Sequence, residues 1–119
     1  MKKLINYYVN KEQTIKDAMS VIQSNLSRCV IVLNKTNKVV GVFSEGDILR
    51  CILKGTNINT PLKEVLNSSF HYLKKTDIDK AYELIKKFGP TLIPVVNRKF
   101  KLKNVITLFD VIDHLVLKN

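Results

Sequence analysis

Two segments of the sequence place a hydroxyl side chain three residues before an aspartate, at Ser44–Asp47 and at Thr107–Asp110. A hydroxyl and an acid at this spacing can form a helix capping box, in which each side chain accepts from a free N–H at the start of the helix. The same groups can also hold a ligand. The positive end of a helix attracts phosphate, a hydroxyl can donate to a phosphate oxygen, and an aspartate can accept from the two hydroxyls of a ribose. Both interpretations stay open from the spacing alone.

The other reactive side chains do not form a catalytic or metal-binding pattern. Cys29 and Cys51 have neither metal-ligand nor redox spacing and lie in apolar stretches, which predicts buried, reduced thiols. His71 and His114 have no visible partner for acid–base work. The sequence also lacks a glycine-rich loop that would cradle a phosphate. It therefore predicts a protein that is not an enzyme and that requires no cofactor.

The two hydroxyl–acid segments occupy equivalent positions in an internal repeat. When the chain is shifted by 63 residues, the stretch from Tyr7 to Gly55 matches the stretch from Phe70 to Lys118 without a gap, and apolar residues fall on apolar residues. A constant offset over so long a stretch is the signature of a duplicated structural unit. The sequence therefore predicts two copies of one small unit.

Each copy is predicted to fold as strand, helix, strand, strand, helix. In the first copy, apolar residues at helical spacing predict a helix from about Thr14 to Leu26, and a continuous apolar run predicts a buried strand at Cys29–Leu33. A second strand at Val39–Phe43 leads into a helix over about Glu45–Leu53. The equivalent elements of the second copy are a helix around Ile78–Phe88, strands at Leu92–Val96 and Leu102–Ile106, and a helix over about Leu108–Leu117.

This order of elements predicts the α/β (α+β) class, with two β-α-β-β-α repeats packed with pseudo-twofold symmetry. The predicted repeats are residues 1–60 and 61–119. Each unit alone is too short to bury a sizeable core, so the two copies should pack together. A linker is expected at Thr56–Pro61, followed by a short helical turn within Pro61–Leu66.

The chain has 119 residues and a formal net charge of +10, which raises the question of a polyanionic partner. Its lysines are spread over the whole chain, and aromatic residues are not interleaved with them apart from Phe100 within Arg98–Lys103. A solvated basic surface is the favoured interpretation, and a nucleic-acid-binding protein is the alternative. No apolar run is long enough to span a membrane and no signal peptide is evident, which predicts a cytoplasmic protein.

The duplicated pattern resembles a tandem pair of CBS domains (a Bateman module), and the resemblance covers nearly the whole chain. The second copy carries Ile93–Asn97 (Ile-Pro-Val-Val-Asn), which is close to the family's usual strand, whereas the first copy has Ile31 in place of the proline. Gly41 matches a glycine of the family, which Asn104 replaces in the second copy. Both copies retain the hydroxyl–acid segment after the last strand.

Pairs of this family bind adenine nucleotides or related molecules in the cleft between the two copies, so the resemblance implies AMP, ADP or ATP as the ligand. The residues that it implies at phosphate and ribose are Ser44, Asp47, Thr107 and Asp110. The strand residues that it implies beside the base are Val30, Ile31, Val32, Ile93, Pro94 and Val95. Arg28 is the first candidate for a cation near the phosphates and His71 is the second. A solvated charge is the alternative interpretation of Arg28.

A narrower resemblance lies in Gly41–Arg50 and Leu53–Gly55, which look like the N-terminal CBS pair of bacterial sugar-phosphate nucleotidyltransferases. It implies a C-terminal nucleotidyltransferase domain as the regulated partner. The family resemblance also implies a homodimer formed through the helical faces, for which Phe88, Leu115 and Val116 are candidate contacts. A pair that binds no ligand and serves only to dimerise is the alternative.

Overall fold

A computed structural model describes residues 2–118. The chain forms two compact units, residues 1–70 and 71–119, so the first residues of the second repeat belong to the first unit. The division falls between Phe70 and His71, after a segment that packs on the first unit. The predicted boundary between residues 60 and 61 stays a prediction about the repeats themselves.

The first unit is a three-stranded sheet with two α-helices. Its elements in chain order are a 3-10 helix Leu4–Tyr7, β1 Tyr8–Asn10, α1 Ile15–Asn25, β2 Cys29–Leu33, β3 Val39–Ser44, α2 Glu45–Leu53 and a 3-10 helix Leu62–Glu64. Strand β2 lies in the centre of the sheet, parallel to β1 and antiparallel to β3. All of its residues are buried, as expected of a continuous apolar run that is covered on both faces.

The second unit has a two-stranded antiparallel sheet and two α-helices. Its elements are α3 Ile78–Phe88, β4 Leu92–Val96, β5 Leu102–Thr107 and α4 Leu108–Lys118. The helices and the two later strands predicted for each copy are confirmed to within one residue at their ends, and so is the mixed class of the fold. Among the helices of residues 2–118, none combines the length and the apolar composition needed to cross a bilayer.

The strand predicted at the start of the second copy is not formed. Leu73 makes a single parallel bridge to Val95, whereas β1 pairs with β2 over its whole length. The prediction of a gap-free repeat is also wrong in this region. Val9 pairs with Val32 in the first unit, whereas Leu73 bridges to Val95 in the second. Leu73 therefore corresponds to Val9 at an offset of 64, while Val95 corresponds to Val32 at the offset of 63. The connection from Leu73 to the start of α3 is one residue shorter than the connection from Val9 to the start of α1.

The segment 57–66 closes one end of the first unit. The N–H of Ile15, at the start of α1, donates to the carbonyl of Thr60 at 3.1 Å. Leu62 is fully buried and belongs to the core of this unit. The short turn predicted here forms as the 3-10 helix 62–64, and its burial shows that it stabilises the first unit.

Leu66, at the end of that segment, lies against β3 at Gly41. A Cβ at position 41 would come within 2.8 Å of the Leu66 side chain, so glycine is needed there unless the leucine moves. The equivalent residue of the second unit is Asn104, whose amide donates to Thr76 Oγ1 at 3.1 Å. Close packing by Leu66 is thus a sufficient reason for the glycine in the first repeat.

Candidate ligand-binding site

The first hydroxyl–acid segment lies where β3 ends and α2 begins. Ser44 is the last residue of β3 and the N-cap of α2. The Ser44 N–H donates to Asp47 Oδ2 at 2.8 Å, and the Asp47 N–H donates to Ser44 Oγ at 3.2 Å. These reciprocal bonds are a capping box, so the structural interpretation of the spacing is confirmed. A role in ligand binding stays a prediction that must be compatible with the cap.

The capping box leaves part of both side chains accessible. Ser44 is half-buried, and 27% of the Asp47 side chain is exposed. The other carboxylate oxygen of Asp47, Oδ1, pairs with the guanidinium of Arg50, which is largely exposed. A hydroxyl, a carboxylate and a guanidinium therefore meet at one helix start, and these are the groups that recognise phosphate and ribose. Sequence reasoning missed Arg50, although its spacing of three residues from Asp47 was the available signal.

The second hydroxyl–acid segment forms the same cap. The Thr107 N–H donates to Asp110 Oδ2 at 2.8 Å, and the Asp110 N–H donates to Thr107 Oγ1 at 3.1 Å. Thr107 keeps only 4% of its surface exposed, so its hydroxyl is less accessible than that of Ser44. The residue equivalent to Arg50 is the exposed Asp113, and an acid there repels phosphate. The two helix starts share a backbone geometry and differ in charge.

Arg28 lies beside the first helix start, where the sequence predicted a cation. Its backbone has a left-handed φ of +62°, and its carbonyl accepts from the Glu45 N–H at 3.0 Å. Its Nε lies 2.8 Å from Glu45 Oε1, and this hydrogen-bonded partner raises the pKa of the Arg28 guanidinium. Both side chains are well exposed, so the ion pair is weak and an anion can compete for it. In the second unit Thr91 and Leu108 form the same backbone bond, at 2.8 Å, without the charges.

The six strand residues predicted beside a base fall into two groups. Those that belong to the hydrophobic cores of the two units are Val30, Val32, Ile93 and Val95. Because side chains alternate along a strand, Ile31 and Pro94 point to the other face of their sheets. Both are buried, and they occupy the same place in the two repeats. Ile31 and Pro94 lie outside those two core clusters, and contact of any of the six with a base stays a prediction.

The remaining candidate residues have structural partners. His71 stacks on the ring of Phe88, with centroids 4.2 Å apart, which accounts for it without a ligand. His114 Nε2 is buried and lies 3.5 Å from Asp79 Oδ1 on the neighbouring helix, without a hydrogen bond to any described residue. Cys29 and Cys51 are buried free thiols, as predicted, and burial raises the pKa of Cys29 to about 12. Within residues 2–118, no three His, Cys, Asp or Glu side chains are grouped to hold a metal ion.

Comparison with known families gives one match that spans most of the chain. The family model described as "CBS domain" matches residues 2–54 and again residues 62–117. The two matched segments correspond to the two sequence repeats. The duplication that the sequence predicts is therefore a duplication of this domain.

Curated relatives resemble the chain over only part of their own length. A homoserine O-acetyltransferase of Methanobrevibacter ruminantium is 30% identical over 91% of this chain and 21% of its own. An arabinose 5-phosphate isomerase of Salmonella typhi is 32% identical over 82% of this chain and 30% of its own. The chain thus spans less than a third of these two relatives.

Solved structures of similar fold include two that were determined with nucleotides. A CBS domain protein from Pyrobaculum aerophilum, complexed with AMP, superposes with a TM-score of 0.75 over 93% of this chain and 91% of its own, at 20% identity. The cytosolic domain of the Mg²⁺ channel MgtE, in complex with ATP, superposes with a TM-score of 0.72 over 92% of this chain and 45% of its own, at 21% identity. At these identities the likeness establishes the fold.

Proposed function

The chain belongs to the CBS domain family, as a tandem pair, and from this premise we propose that it is a regulatory module that senses an adenine nucleotide. Two neighbours of the same fold were solved with AMP and with ATP, which supports this ligand class. The sequence pattern contains no catalytic constellation, so the module is proposed to act through ligand-dependent changes in a partner.

The observation that carries the proposal is the group of side chains at the start of α2. Ser44 and Asp47 present a hydroxyl and a carboxylate, and Arg50 lies beside that carboxylate. Arg28 adds a second guanidinium through its contact with Glu45 at the first residue of the helix. A phosphate would take the place of weak, exposed ion pairs here, so little stabilisation is lost when it binds.

We propose that the first repeat supplies most of the affinity. The second repeat caps α4 with Thr107 and Asp110 in the same way, yet it has Asp113 where the first has Arg50. A phosphate group at that helix start would meet an acid rather than a guanidinium. The adenine ring is proposed to lie beside Ile31, on the face of its sheet that is turned away from the core cluster of the first unit, and Pro94 is the equivalent residue of the second repeat.

A homodimer is the second part of the proposal. A groove of about 610 Å³ runs between α1 and α2, with walls that are mainly apolar, and Met19, Ile22 and Leu49 contribute to them. Leu26 lines the same groove with 73% of its surface exposed and a left-handed φ of +60°. An exposed leucine in an unfavourable backbone conformation is better explained by a contact between copies than by the stability of one copy.

The regulated partner is proposed to be an enzyme. Two of the curated relatives that carry a matching region are an acetyltransferase and an isomerase, each much longer than this chain. The local resemblance of Gly41–Arg50 to pairs that precede sugar-phosphate nucleotidyltransferases favours that class of partner. A cytoplasmic location agrees with an adenine nucleotide as the signal.

A thermal-shift panel of AMP, ADP, ATP, GTP, CMP and S-adenosylmethionine tests the nucleotide proposal. A ligand at about one hundred times its Kd should stabilise the fold by about 2.7 kcal/mol, which is a rise of several degrees in Tm for a chain of this size. We expect the adenine nucleotides to give the largest rise and CMP none. A flat response to every compound at millimolar concentration would remove the nucleotide proposal and leave the dimerisation module.

A further inference from the structure

In the first unit, the segment 57–66 binds to the start of α1 through its backbone. The N–H groups of Ile15 and Lys16 donate to the carbonyls of Thr60 and Ile58, at 3.1 and 2.9 Å. Thr14 also forms an antiparallel bridge with Pro61. The segment therefore satisfies N–H groups that the first turn of a helix leaves free.

Two side chains complete this intramolecular contact. Leu62 is fully buried and anchors the segment in the core of the unit. Lys63 Nζ lies 2.9 Å from Glu12 Oε2, so a base on the segment meets an acid beside the groove. The binding mode thus has three parts, which are backbone pairing with the helix start, a leucine anchor and one ion pair.

In the second unit, the start of α3 is open. A cavity of about 250 Å³ lies there, lined by Leu73, Lys74, Lys75, Asp77 and Lys80. The N–H groups of Ile78 and Asp79 correspond to those of Ile15 and Lys16. No backbone carbonyl of residues 2–118 outside the helix accepts from them, and the Asp77 cap accepts from the Lys80 N–H instead. Ile78 is half-buried, whereas Ile15 is fully buried. The second unit has the groove of the first, and the segment 57–66 has no counterpart within residues 71–118.

The charge beside the open groove is opposite to that in the first unit. Where Glu12 faces the segment in the first unit, the second presents the exposed lysines 74, 75 and 80. Asp77, the one acid in the lining, already accepts from the Lys80 N–H at 3.1 Å as the helix cap. A segment bound here must therefore carry acidic side chains where the first unit's segment carries Lys63.

We propose that this groove binds an extended, acidic segment of a partner protein, which is anchored by a leucine and pairs through its backbone with Ile78 and Asp79. Residues 57–64 of the first unit's segment are the template for the backbone pairing and the leucine. Lys74, Lys75 and Lys80 favour acidic side chains on the bound segment. Carbonyl oxygens fit the N–H groups of Ile78 and Asp79, and the leucine would pack with the half-buried Ile78, since Leu62 and Ile15 belong to one core cluster in the first unit. This inference goes beyond nucleotide sensing and does not depend on it, since the groove lies within the second unit alone.

An NMR titration of the full chain with a synthetic peptide tests the proposal. The probe has the sequence of residues 57–64 with glutamate in place of Lys63, so that it carries the leucine and two adjacent acids. We expect saturable shifts of the amide signals of Ile78 and Asp79, which report the two new backbone hydrogen bonds. A peptide with aspartate in place of its leucine should bind at least about tenfold more weakly, because the anchor is lost.

A charge-reversed protein supplies the matched control. Lys74→Glu, Lys75→Glu and Lys80→Glu together should weaken peptide binding about tenfold or more, since the two acids of the peptide then face acids instead of lysines. Lys86→Glu, Lys87→Glu and Lys99→Glu make the same change in net charge at other exposed positions of this unit and should weaken it far less. Equal loss in both variants, or no shift at Ile78 and Asp79 at millimolar peptide, would overturn the proposal. Because nucleotide binding is read in a separate titration, either proposal can fail alone.

Discussion

The helix starts of the two repeats differ in charge while they keep one backbone design. Both α2 and α4 begin with a hydroxyl–acid capping box, and the first N–H of each helix donates to a backbone carbonyl in the turn before β2 or β4. Around that frame the first repeat carries Arg28 and Arg50, where the second carries Thr91 and Asp113. The cap is thus a requirement of the fold, and the charged residues around it distinguish a candidate phosphate site from a structural copy.

The two units also differ at the starts of α1 and α3. The first unit is closed by its own segment 57–66, whereas the second presents an open groove with exposed lysines. The two units therefore share two helices and an antiparallel pair of strands, and they differ in what lies at the start of the first helix.

The largest effect is expected when segment 57–66 loses its buried leucine. Leu62→Ala should lower the free energy of unfolding by about 2 to 4 kcal/mol, because a fully buried leucine leaves a cavity in the core. Denaturant titration followed by circular dichroism measures the change. Leu117→Ala, at a leucine with 86% of its surface exposed, is the matched control and should be nearly silent. A cost below about 1 kcal/mol for Leu62→Ala would contradict the role given to this segment.

A comparable change, in nucleotide affinity rather than in stability, is expected at Arg50 and not at the equivalent Asp113. Arg50→Ala should weaken adenine nucleotide binding about tenfold, because a charge-assisted hydrogen bond to phosphate is worth about 1.5 kcal/mol. Asp113→Ala should leave the affinity unchanged or raise it slightly, since it removes an acid near the second helix start. Isothermal titration calorimetry measures both. Equal losses would show that the two repeats contribute alike.

A smaller effect is expected at the C-terminal caps of α1 and α3. Leu26 and Gly89 are equivalent, and both have a left-handed φ, of +60° and +79°. Leu26→Gly should raise the free energy of unfolding by about 0.5 to 1 kcal/mol, and Gly89→Leu should lower it by a similar amount. If Leu26 contacts a second copy, Leu26→Gly should also weaken the dimer in analytical ultracentrifugation. A monomer at every concentration in both proteins would remove the dimer proposal.

The smallest effect is the pH dependence of the Glu12–Lys63 pair. The hydrogen bond from Lys63 lowers the pKa of Glu12 in the folded protein. A depressed carboxyl pKa stabilises the fold at neutral pH, and this contribution is lost as pH falls through the folded pKa. Glu12→Gln should therefore unfold at a slightly lower denaturant concentration at neutral pH and match the parent protein in acid. Lys63→Gln should behave in the same way, and a difference that persists in acid would contradict the ion pair.

Most of the secondary structure was predictable because it depends on local periodicity. The continuous apolar run of β2 and the helical spacing of Ile15, Ala18 and Ile22 predict their elements directly. The first strand of the second copy was not predictable in this way. Its loss depends on a connection that is one residue shorter, and a sequence match at the single offset of 63 hides that difference.

The candidate site was predictable in position and less so in composition. Ser44 and Asp47 follow from the spacing, yet that spacing describes the capping boxes at Thr107 and at Thr14 equally well. Arg50 was missed because its contact with Asp47 depends on side-chain conformation. The alternation that separates Ile31 from Val30 and Val32 was available in the sequence, but it required knowing which face of the sheet the helices cover.

The start of α2 is proposed to bind an adenine nucleotide as well as to cap the helix, and a matched pair of capping-box variants separates these two roles. The capping box of α1, formed by Thr14 and Asp17, has bonds of 2.9 and 3.2 Å and is nearly identical to that of α2. The double variants Ser44→Ala/Asp47→Asn and Thr14→Ala/Asp17→Asn should therefore lose similar stability, about 1 to 2 kcal/mol each.

Calorimetric titration of AMP, ADP and ATP into the two folded variants separates capping from binding. We expect the α2 variant to lose at least about tenfold in affinity, while the α1 variant binds like the parent protein. Equal affinity in both variants, or an equal loss in both, would show that Ser44 and Asp47 serve the fold alone.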